Sequence, residues 1–435
     1  MARQTKFLSV LIALLVFTIT AVADSSVFAE AAKTNALRWK KVTIPIAFSN
    51  SLLKPNPAIR PDSDIQGAVR RSLDAWEAVA NIEFQVTWTD KLAVSPAGNA
   101  GDATSLVTIA QIPENLLVFS GDINEISART RVFFNRKSEI SEADIVLNPY
   151  QQFSTDGSIG TFDFESTVTH EIGHLLGLEH STVASATMNE HQGKNGIFNL
   201  SSFSPRTLSE DDITQIRAIY GAREDDDCCG AIDGKITLTN GKTAKGFDVW
   251  LEESETGRVI VGSKVGADGS FLLKGLQANK YRVFTQNSAG SFAGQDLGEI
   301  EVTKGKTVGF LKKITSSSKD FDVQLTGFNG QLSKLAIPIN GGKSYLIYVG
   351  GKNLNPEDFK IGITSPFFTV SSGNLTKYDY GKDISVFSFE IKSISDTPLG
   401  DYTIYLQKTD GKIEFLTGNL SVEKFVNPWN NLAFD

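Results

Sequence analysis

Cysteine, histidine and methionine are scarce in this chain, which has two cysteines, four histidines and two methionines among 435 residues. The cysteines, Cys228 and Cys229, are adjacent, so a framework of several disulfides is excluded. Adjacent cysteines can close a vicinal ring or pair with another chain. Because they follow the acidic run 224–227, we favour a solvated hinge between domains.

Positive charge is also in short supply: 42 lysines and arginines stand against 50 aspartates and glutamates, a net charge of −8. Phosphate recognition requires a basic stripe, and none is found, so we exclude nucleic-acid binding. The hydrophobic fraction of 41% is sufficient for folded cores. At about 150 residues per domain, the length suggests about three domains.

Long apolar runs are absent except at the N-terminus, where residues 7–23 read FLSVLIALLVFTITAVA. Arg3 and Lys6 precede this run, and it ends in the small-x-small pattern Ala-Val-Ala. We interpret residues 1–23 as a secretory signal peptide, and we expect export to the medium or periplasm without membrane insertion after cleavage. An uncleaved membrane anchor is the less favoured alternative.

The patterning changes along the chain. Over residues 38–222, alternating segments predict strands, and Ile65, Val69 and Leu73 recur at helical spacing, so we expect a mixed sheet with long helices. From about residue 223 onward, short β-branched runs alternate with turns, which predicts two β-sandwiches at 230–315 and 319–424. The predicted fold class is therefore α+β, followed by two β-sandwich domains.

Three of the four histidines fall in the run HEIGHLLGLEH, residues 170–180. If this run begins on a helix that starts near Ser166 or Thr167, His170 and His174 share one face, at a spacing suited to one zinc ion. Gly177 tolerates a left-handed backbone, so it can end the helix and allow His180 to return as a third ligand.

Three protein nitrogens leave the fourth zinc position open, which is the catalytic arrangement rather than the structural one. Glu171 lies beside the first histidine and can reach a water bound to that ion. The ion lowers the pKa of the water, and Glu171 takes its proton as general base. These residues predict peptide-bond hydrolysis.

Two later features agree with this interpretation. Met188, the one methionine besides the initiator, lies eight residues after His180, where it can form an apolar floor beneath the ligands. The segment 208–221 predicts a helix that is capped by Ser209 and closes the domain.

On these residues, the segment from about Arg38 to Gly221 resembles the catalytic domain of the matrixin branch of the metzincin metallopeptidases. The resemblance implies that His170, His174 and His180 bind one catalytic zinc and that Glu171 is the general base. It also implies that Met188 forms the Met-turn, which the pair Asp211 and Asp212 braces. Protein or peptide substrates, including extracellular matrix, are the implied partners.

The chain lacks two features of the family, and the expectation is therefore a single zinc without the usual cysteine switch. Neither cysteine precedes the motif, so the usual cysteine switch is not available, and no histidine precedes His170 to hold a second zinc. Calcium is common in the family, and Asp156 and Asp163 could supply oxygens for it. By family analogy, the loop 191–205 shapes the S1′ pocket, although His191 itself is interpreted as a solvent-facing residue.

The C-terminal half resembles exported β-sandwich modules. Residues 230–315 are similar to carboxypeptidase-regulatory or transthyretin-like domains, and residues 319–424 are similar to immunoglobulin-like domains. Such modules act as spacers, or they bind a surface or matrix. The alternatives to an endopeptidase are a non-catalytic adhesive protein on a metzincin scaffold and a precursor that cleaves mainly its own chain.

Overall fold

The computed structural model describes residues 36–98, 100–119, 126–200, 206–223, 228–287, 289–379 and 384–423. The predicted signal peptide lies outside these residues. Among the helices of the described part, none combines the length and the apolar composition that crossing a bilayer would require.

The first region, residues 36–223, contains a six-stranded mixed sheet. Its strands are β1 Arg38–Trp39, β2 Thr43–Ser49, β3 Glu83–Thr89, β4 Leu106–Thr108, β5 Ala128–Phe134 and β6 Glu139–Leu147. The order is β1-β6-β4-β2-β3, and these neighbours are parallel. Strand β5 is antiparallel and pairs, within the described residues, with β6 alone, so it forms an edge of the sheet. A short parallel pair follows, β7 Phe153–Ser154 and β8 Phe162–Asp163.

The described residues of this region form four α-helices: α1 Ile65–Val79, α2 Pro113–Leu116, α3 Phe164–Leu175 and α4 Glu210–Tyr220. Helix α1 is capped by Asp64, whose side chain accepts a hydrogen bond from the Gly67 N–H, and its apolar face is buried. It packs directly on α3, since Trp76 Nε1 donates to the Thr169 carbonyl at 3.0 Å. This contact fixes α3, the helix that carries the histidine motif.

The second region, residues 228–314, has strands and no helix in the part that the structure describes. One sheet has the order β11-β10-β13-β14 and the other β12-β9-β15. The bounds are β9 Cys228–Leu238, β10 Phe247–Glu253, β11 Val259–Lys264, β12 Ser270–Gln277, β13 Asn279–Asn287, β14 Gln295–Val302 and β15 Thr307–Ile314. Alternate residues of both sheets point into one core, as in a β-sandwich.

The third region, residues 319–423, is a second two-sheet unit. Its sheets have the orders β17-β16-β19-β22-β21 and β18-β24-β23-β20. The bounds are β16 Asp322–Phe328, β17 Gln331–Ser333, β18 Ile337–Ile339, β19 Ser344–Lys352, β20 Phe359–Ile363, β21 Phe368–Asp379, β22 Ser385–Ser393, β23 Gly400–Lys408 and β24 Ile413–Val422. The helical turns outside the α-helices are 3₁₀ segments at Asn50–Leu52, Ile197–Asn199 and Pro356–Asp358.

Each region has its own hydrophobic core, but the cores are not cleanly separated. Phe198, in the first region, is fully buried within the core of the third. A further cluster joins Val183 of the first region to Trp250 of the second and Phe415 of the third. The three regions therefore pack on one another close to the histidine motif, and the division into the predicted domains stays a prediction.

The cysteine pair does not lie in the hinge that we expected. Cys228 and Cys229 form a disulfide with each other at the start of β9, where Cys228 is paired in register with Gln277. The acidic run that suggested a hinge, residues 224–227, lies outside the described residues.

Candidate metal centre

Helix α3 begins earlier than the sequence predicted. Its cap is Asp163, whose Oδ1 accepts a hydrogen bond from the Ser166 N–H at 2.9 Å, so Ser166 and Thr167 lie inside the first turn. Arg206 also donates to this carboxylate through Nε at 3.1 Å. The cap and this ion pair fix the N-terminal end of the helix.

The other end of α3 is closed by contacts to its last carbonyls. Trp39 Nε1 donates to the Leu175 carbonyl at 2.9 Å, and Tyr220 Oη donates to that of Leu176 at 2.7 Å. Gly177 follows with φ of 95°, a left-handed conformation, and its Cα lies against the Leu37 carbonyl, where a side chain has no room. The chain can turn here because residue 177 is glycine.

This turn brings His180 back to the two histidines of the helix. The ring centroids of His170 and His174 are 4.8 Å apart, those of His174 and His180 4.8 Å, and those of His170 and His180 5.4 Å. One nitrogen from each ring lies within 4.8 Å of the others. No other group of three potential metal ligands occurs in the part of the chain that the structure describes.

Hydrogen bonds on the opposite side orient two of the rings. Nδ1 of His170 lies 2.7 Å from the Thr187 carbonyl, and Nδ1 of His174 lies 2.8 Å from that of Leu178. A carbonyl can only accept, so both Nδ1 atoms carry the proton and both Nε2 lone pairs are free to ligate. Burial lowers the pKa of His170 to about 4 and also lowers the pKa of His174, which favours the neutral, ligating form.

Three neutral imidazoles at this spacing fit a zinc ion. Nε2 of His174 and Nε2 of His180 are 3.2 Å apart, close enough to face a common ion. Histidine nitrogens are the donors that zinc accepts readily, whereas calcium and magnesium prefer oxygen.

Glu171 is buried beside this group, with 3% of its surface exposed. Thr130, on the edge strand β5, donates from Oγ1 to the Glu171 carboxylate. Burial raises the pKa of Glu171 to about 7, while the bond from Thr130 acts in the opposite direction.

Met188 packs against the underside of α3 between the two helical histidines. Its side chain is 1% exposed and lies so close to Gly173 that a methyl group on that glycine would overlap the sulfur. A glycine between the two histidines is therefore required by the close packing of the methionine.

The two aspartates of α4 hold the segment between His180 and Met188. Asp212 accepts hydrogen bonds from the backbone N–H of Thr187 at 2.8 Å and of Met188 at 3.0 Å, and it also completes the Ser209 capping box. Asp211 accepts from Ser181 Oγ at 2.6 Å and from the Gly262 N–H at 2.7 Å. Burial raises the pKa of both carboxyls, that of Asp211 to about 7.

The two aspartates proposed for calcium have other partners. Asp163 caps α3 and pairs with Arg206, as described above, and Asp156 accepts a hydrogen bond from the Ser158 N–H at 3.0 Å within a turn. His191 is exposed and lies 3.5 Å from the Glu190 carboxylate.

Sequence reasoning missed three residues around the centre: Thr130, Gly173 and Gly262. Gly173 directly precedes His174 in the motif, and its role is evident only once the position of Met188 is known. Nothing in the sequence near Thr130 or Gly262 marks them, because they reach the site through strand packing.

The region of the chain that carries the centre matches a known family. Residues 121–221 match the family model described as Matrixin, Peptidase_M10. This segment, which carries the three histidines and the adjacent glutamate, is therefore similar to the matrixin family.

Curated relatives agree with the family match. Metalloendoproteinase 1 of Glycine max is 30% identical over 195 residues, which are 42% of this chain and 53% of that protein. Serralysin of Photorhabdus sp. (strain Az29) is 24% identical over 264 residues, 55% of this chain and 49% of its own. Matrilysin of Rattus norvegicus is 40% identical over 73 residues, 17% of this chain and 25% of its own. The chain spans about half the length of the first two relatives.

Among solved structures, the major pilin subunit BcpA of Bacillus cereus is similar over 43% of this chain and 66% of its own, at 15% identity. The TM-score of 0.18 is too low for this likeness to carry an argument.

Proposed function

We propose that this protein is a zinc-dependent endopeptidase. The observation that carries the proposal is the arrangement of three imidazoles, each with one nitrogen within 4.8 Å of the other two, while backbone carbonyls hold two of the Nδ1 atoms. A structural zinc site uses four protein ligands, whereas three imidazoles leave a position open for a reactant. The relatives named metalloendoproteinase, serralysin and matrilysin support the same class.

The residues His170, His174 and His180 would hold the metal. Zinc bound in this way supplies Lewis acidity, which polarises a carbonyl group and makes water a stronger nucleophile at neutral pH. The carbonyls of Thr187 and Leu178 keep two of the rings in place, as expected for groups that orient metal ligands.

Glu171, which is buried beside the three histidines, is proposed to move the proton that hydrolysis requires. It accepts a proton from the attacking water, the water oxygen bonds to the carbonyl carbon, and the C–N bond breaks. Glu171 then donates the proton to the nitrogen of the departing amine, so one water is consumed and two chain ends result. The bond from Thr130 orients the carboxylate for this transfer.

The position of β5 at the edge of the sheet supports the proposal that the substrate is a peptide. The strand carries Thr130 beside Glu171 and, among the described residues, pairs on one side only. An extended peptide can add to such an edge through main-chain hydrogen bonds, which would bring its carbonyl groups past the metal centre.

We also propose that the protein is exported and that its C-terminal regions have a role outside catalysis. The N-terminal apolar run supports secretion, and the β-sandwich regions are proposed to act as spacers or to bind a surface or matrix. We propose the limits 38–222 for the peptidase domain, and 230–315 and 319–424 for the two β-sandwich domains.

The test compares the wild type with Glu171→Ala and with the control Glu83→Gln, which changes an exposed carboxylate on β3. Metal content and cleavage of casein and peptides are measured for each protein. We expect about one zinc per chain in all three proteins, and a loss of activity of at least about a hundredfold in Glu171→Ala alone. A wild type that binds zinc but cleaves no substrate would contradict the proposal and leave an adhesive role as the explanation.

A further inference from the structure

We propose that the second region is part of the metal centre, because its strand β11 holds the third ligand, His180, in position. The contact is made through Gly262, which touches the chain directly after that histidine. This inference rests on the zinc site of the proposed endopeptidase. It gives the second region a role in positioning a ligand, in addition to any role as a spacer or surface-binding module.

His180 is the ligand whose own ring is held least. His170 and His174 lie on α3, and backbone carbonyls hold their Nδ1 atoms. Within the part of the chain that the structure describes, no hydrogen bond reaches Nδ1 of His180. The position of this ring therefore depends on the backbone on either side of it. Gly177 fixes the turn that precedes His180, so the residues after it must fix the other side.

The residues after His180 form a closed loop, residues 181–187, which we call the connecting segment because it joins His180 to Met188. The Ser181 N–H donates to the Met188 carbonyl at 2.8 Å, which ties the two ends of the segment together. Ser181 Oγ also accepts a hydrogen bond from the Val183 N–H at 2.9 Å. Because Ser181 is covalently bonded to His180, a displacement of this loop moves the backbone of the ligand.

A pair of hydrogen bonds connects strand β11 to the start of the connecting segment. The Gly262 N–H donates to Oδ1 of Asp211 at 2.7 Å, and Oδ2 of the same carboxylate accepts from Ser181 Oγ at 2.6 Å. Asp211 is 1% exposed, so water does not weaken these bonds. One buried carboxylate thus links the second region to the residue next to His180.

Close packing adds to this link. A methyl group on Gly262 would overlap Oγ1 of Thr182 and lie 3.2 Å from Cγ2 of Val183, so the strand backbone lies directly against the connecting segment. Val183 is fully buried in a cluster with Trp250 and Phe284 of the second region. A larger residue at position 262 must therefore displace the segment or the strand.

The third region also contacts the connecting segment. The Ala184 N–H donates to the Thr417 carbonyl at 3.0 Å, and Phe415 belongs to the cluster around Val183. These contacts restrain the middle of the segment, whereas Gly262 acts at its start, next to His180. Gly262 is therefore the position at which a change in a β-sandwich region should reach the metal site.

The test replaces Gly262 by alanine in the whole chain. The affinity for zinc, measured by competition with a chelator, should fall by about tenfold or more, as it does when other groups that orient metal ligands are changed. The visible spectrum of the protein loaded with cobalt in place of zinc should also change, because its bands depend on the geometry of the ligands. Urea unfolding of the metal-free protein measures the loss of stability separately.

Gly309→Ala is the matched control, because Gly309 also lies in a strand of the second region and a methyl group there meets no atom within 4 Å. It should keep the zinc affinity and the cobalt spectrum of the wild type. A second change, Thr182→Ala, removes the hydroxyl that the new methyl group would overlap, and this hydroxyl makes no hydrogen bond within the described residues. Adding Thr182→Ala to Gly262→Ala should therefore restore most of the zinc affinity.

If Gly262→Ala does not fold, Val183→Ala tests the same contact without an overlap. It shortens the side chain that lies in the cluster with Trp250, so the connecting segment is held less firmly. The zinc affinity should then fall severalfold, and an unchanged affinity in this folded variant would contradict the inference.

The outcomes separate this inference from the proposed function. A wild type that binds no zinc contradicts the proposed function itself. If the wild type binds zinc, and Gly262→Ala keeps the wild-type affinity and cobalt spectrum while its urea midpoint falls, β11 joins the regions without positioning His180. The inference is also wrong if the double variant binds zinc as weakly as Gly262→Ala alone.

Discussion

Replacing Gly177 by alanine should loosen the metal centre, although this residue contacts no ligand ring. Its φ of 95° costs an alanine about 1–2 kcal/mol. In addition, the new methyl group would overlap the Leu37 carbonyl, and relieving such an overlap costs about 1–3 kcal/mol. We expect Gly177→Ala to lower the free energy of unfolding by about 2–5 kcal/mol.

The overlap can be relieved only by moving the turn, and the turn connects His174 to His180. We therefore expect the affinity for zinc, measured by competition with a chelator, to fall by about tenfold to a hundredfold. Urea unfolding of the metal-free protein measures the stability change separately, so that loss of metal and loss of folding are not confused.

Gly221 offers a control, because its φ of 80° and ψ of 161° are also unfavourable for alanine but a methyl group there meets no atom within 4 Å. Gly221→Ala should lose about 1–3 kcal/mol and keep the zinc affinity of the wild type. Equal losses of stability in the two variants, together with equal zinc affinities, would refute the role assigned to the contact with Leu37.

Two further predictions concern the support of the centre. Asp211 has a folded-state pKa of about 7 against 3.8 for the ordinary group, so its contribution to stability is complete below about pH 4 and is lost as the pH rises through 7. Asp211→Asn should therefore flatten the fall in unfolding free energy between pH 4 and 7, and an unchanged slope in urea titrations would contradict this. Met188→Ala should leave a cavity beneath α3 and cost about 2–5 kcal/mol, whereas Met188→Leu should cost less than about 1.5 kcal/mol; thermal unfolding of the two variants checks the order.

Local features of the fold were predictable because short-range patterns determine them. Helix α4 begins after Ser209 with the expected cap, and α1 buries the face that its apolar spacing indicates. The start of α3 was misplaced by a few residues because Asp163, which had been considered as a calcium ligand, is its cap. His170 and His174 lie on the same helix, so helical spacing alone predicts that their side chains are neighbours.

Contacts between distant segments were not predictable from the sequence. Thr130 reaches Glu171 across 41 positions, and Gly262 reaches Asp211 across 51. Neither a threonine in a strand nor a glycine in a β-rich region carries a local signal for such a contact. The same reason explains why the burial of Phe198 in another region could not be foreseen.

The burial of Phe198 also sets an order of events during synthesis. Its partner Asn329 lies 131 positions later, and the core that encloses the ring extends to Val422. Since chains fold as they emerge, N-terminal parts first, the loop that carries Phe198 cannot settle until nearly the whole chain has been made. The turn at Gly177 can form earlier, because its contact with Leu37 lies within the first region. A chain truncated before the third region would thus carry the three histidines but leave Phe198 without the core that buries it.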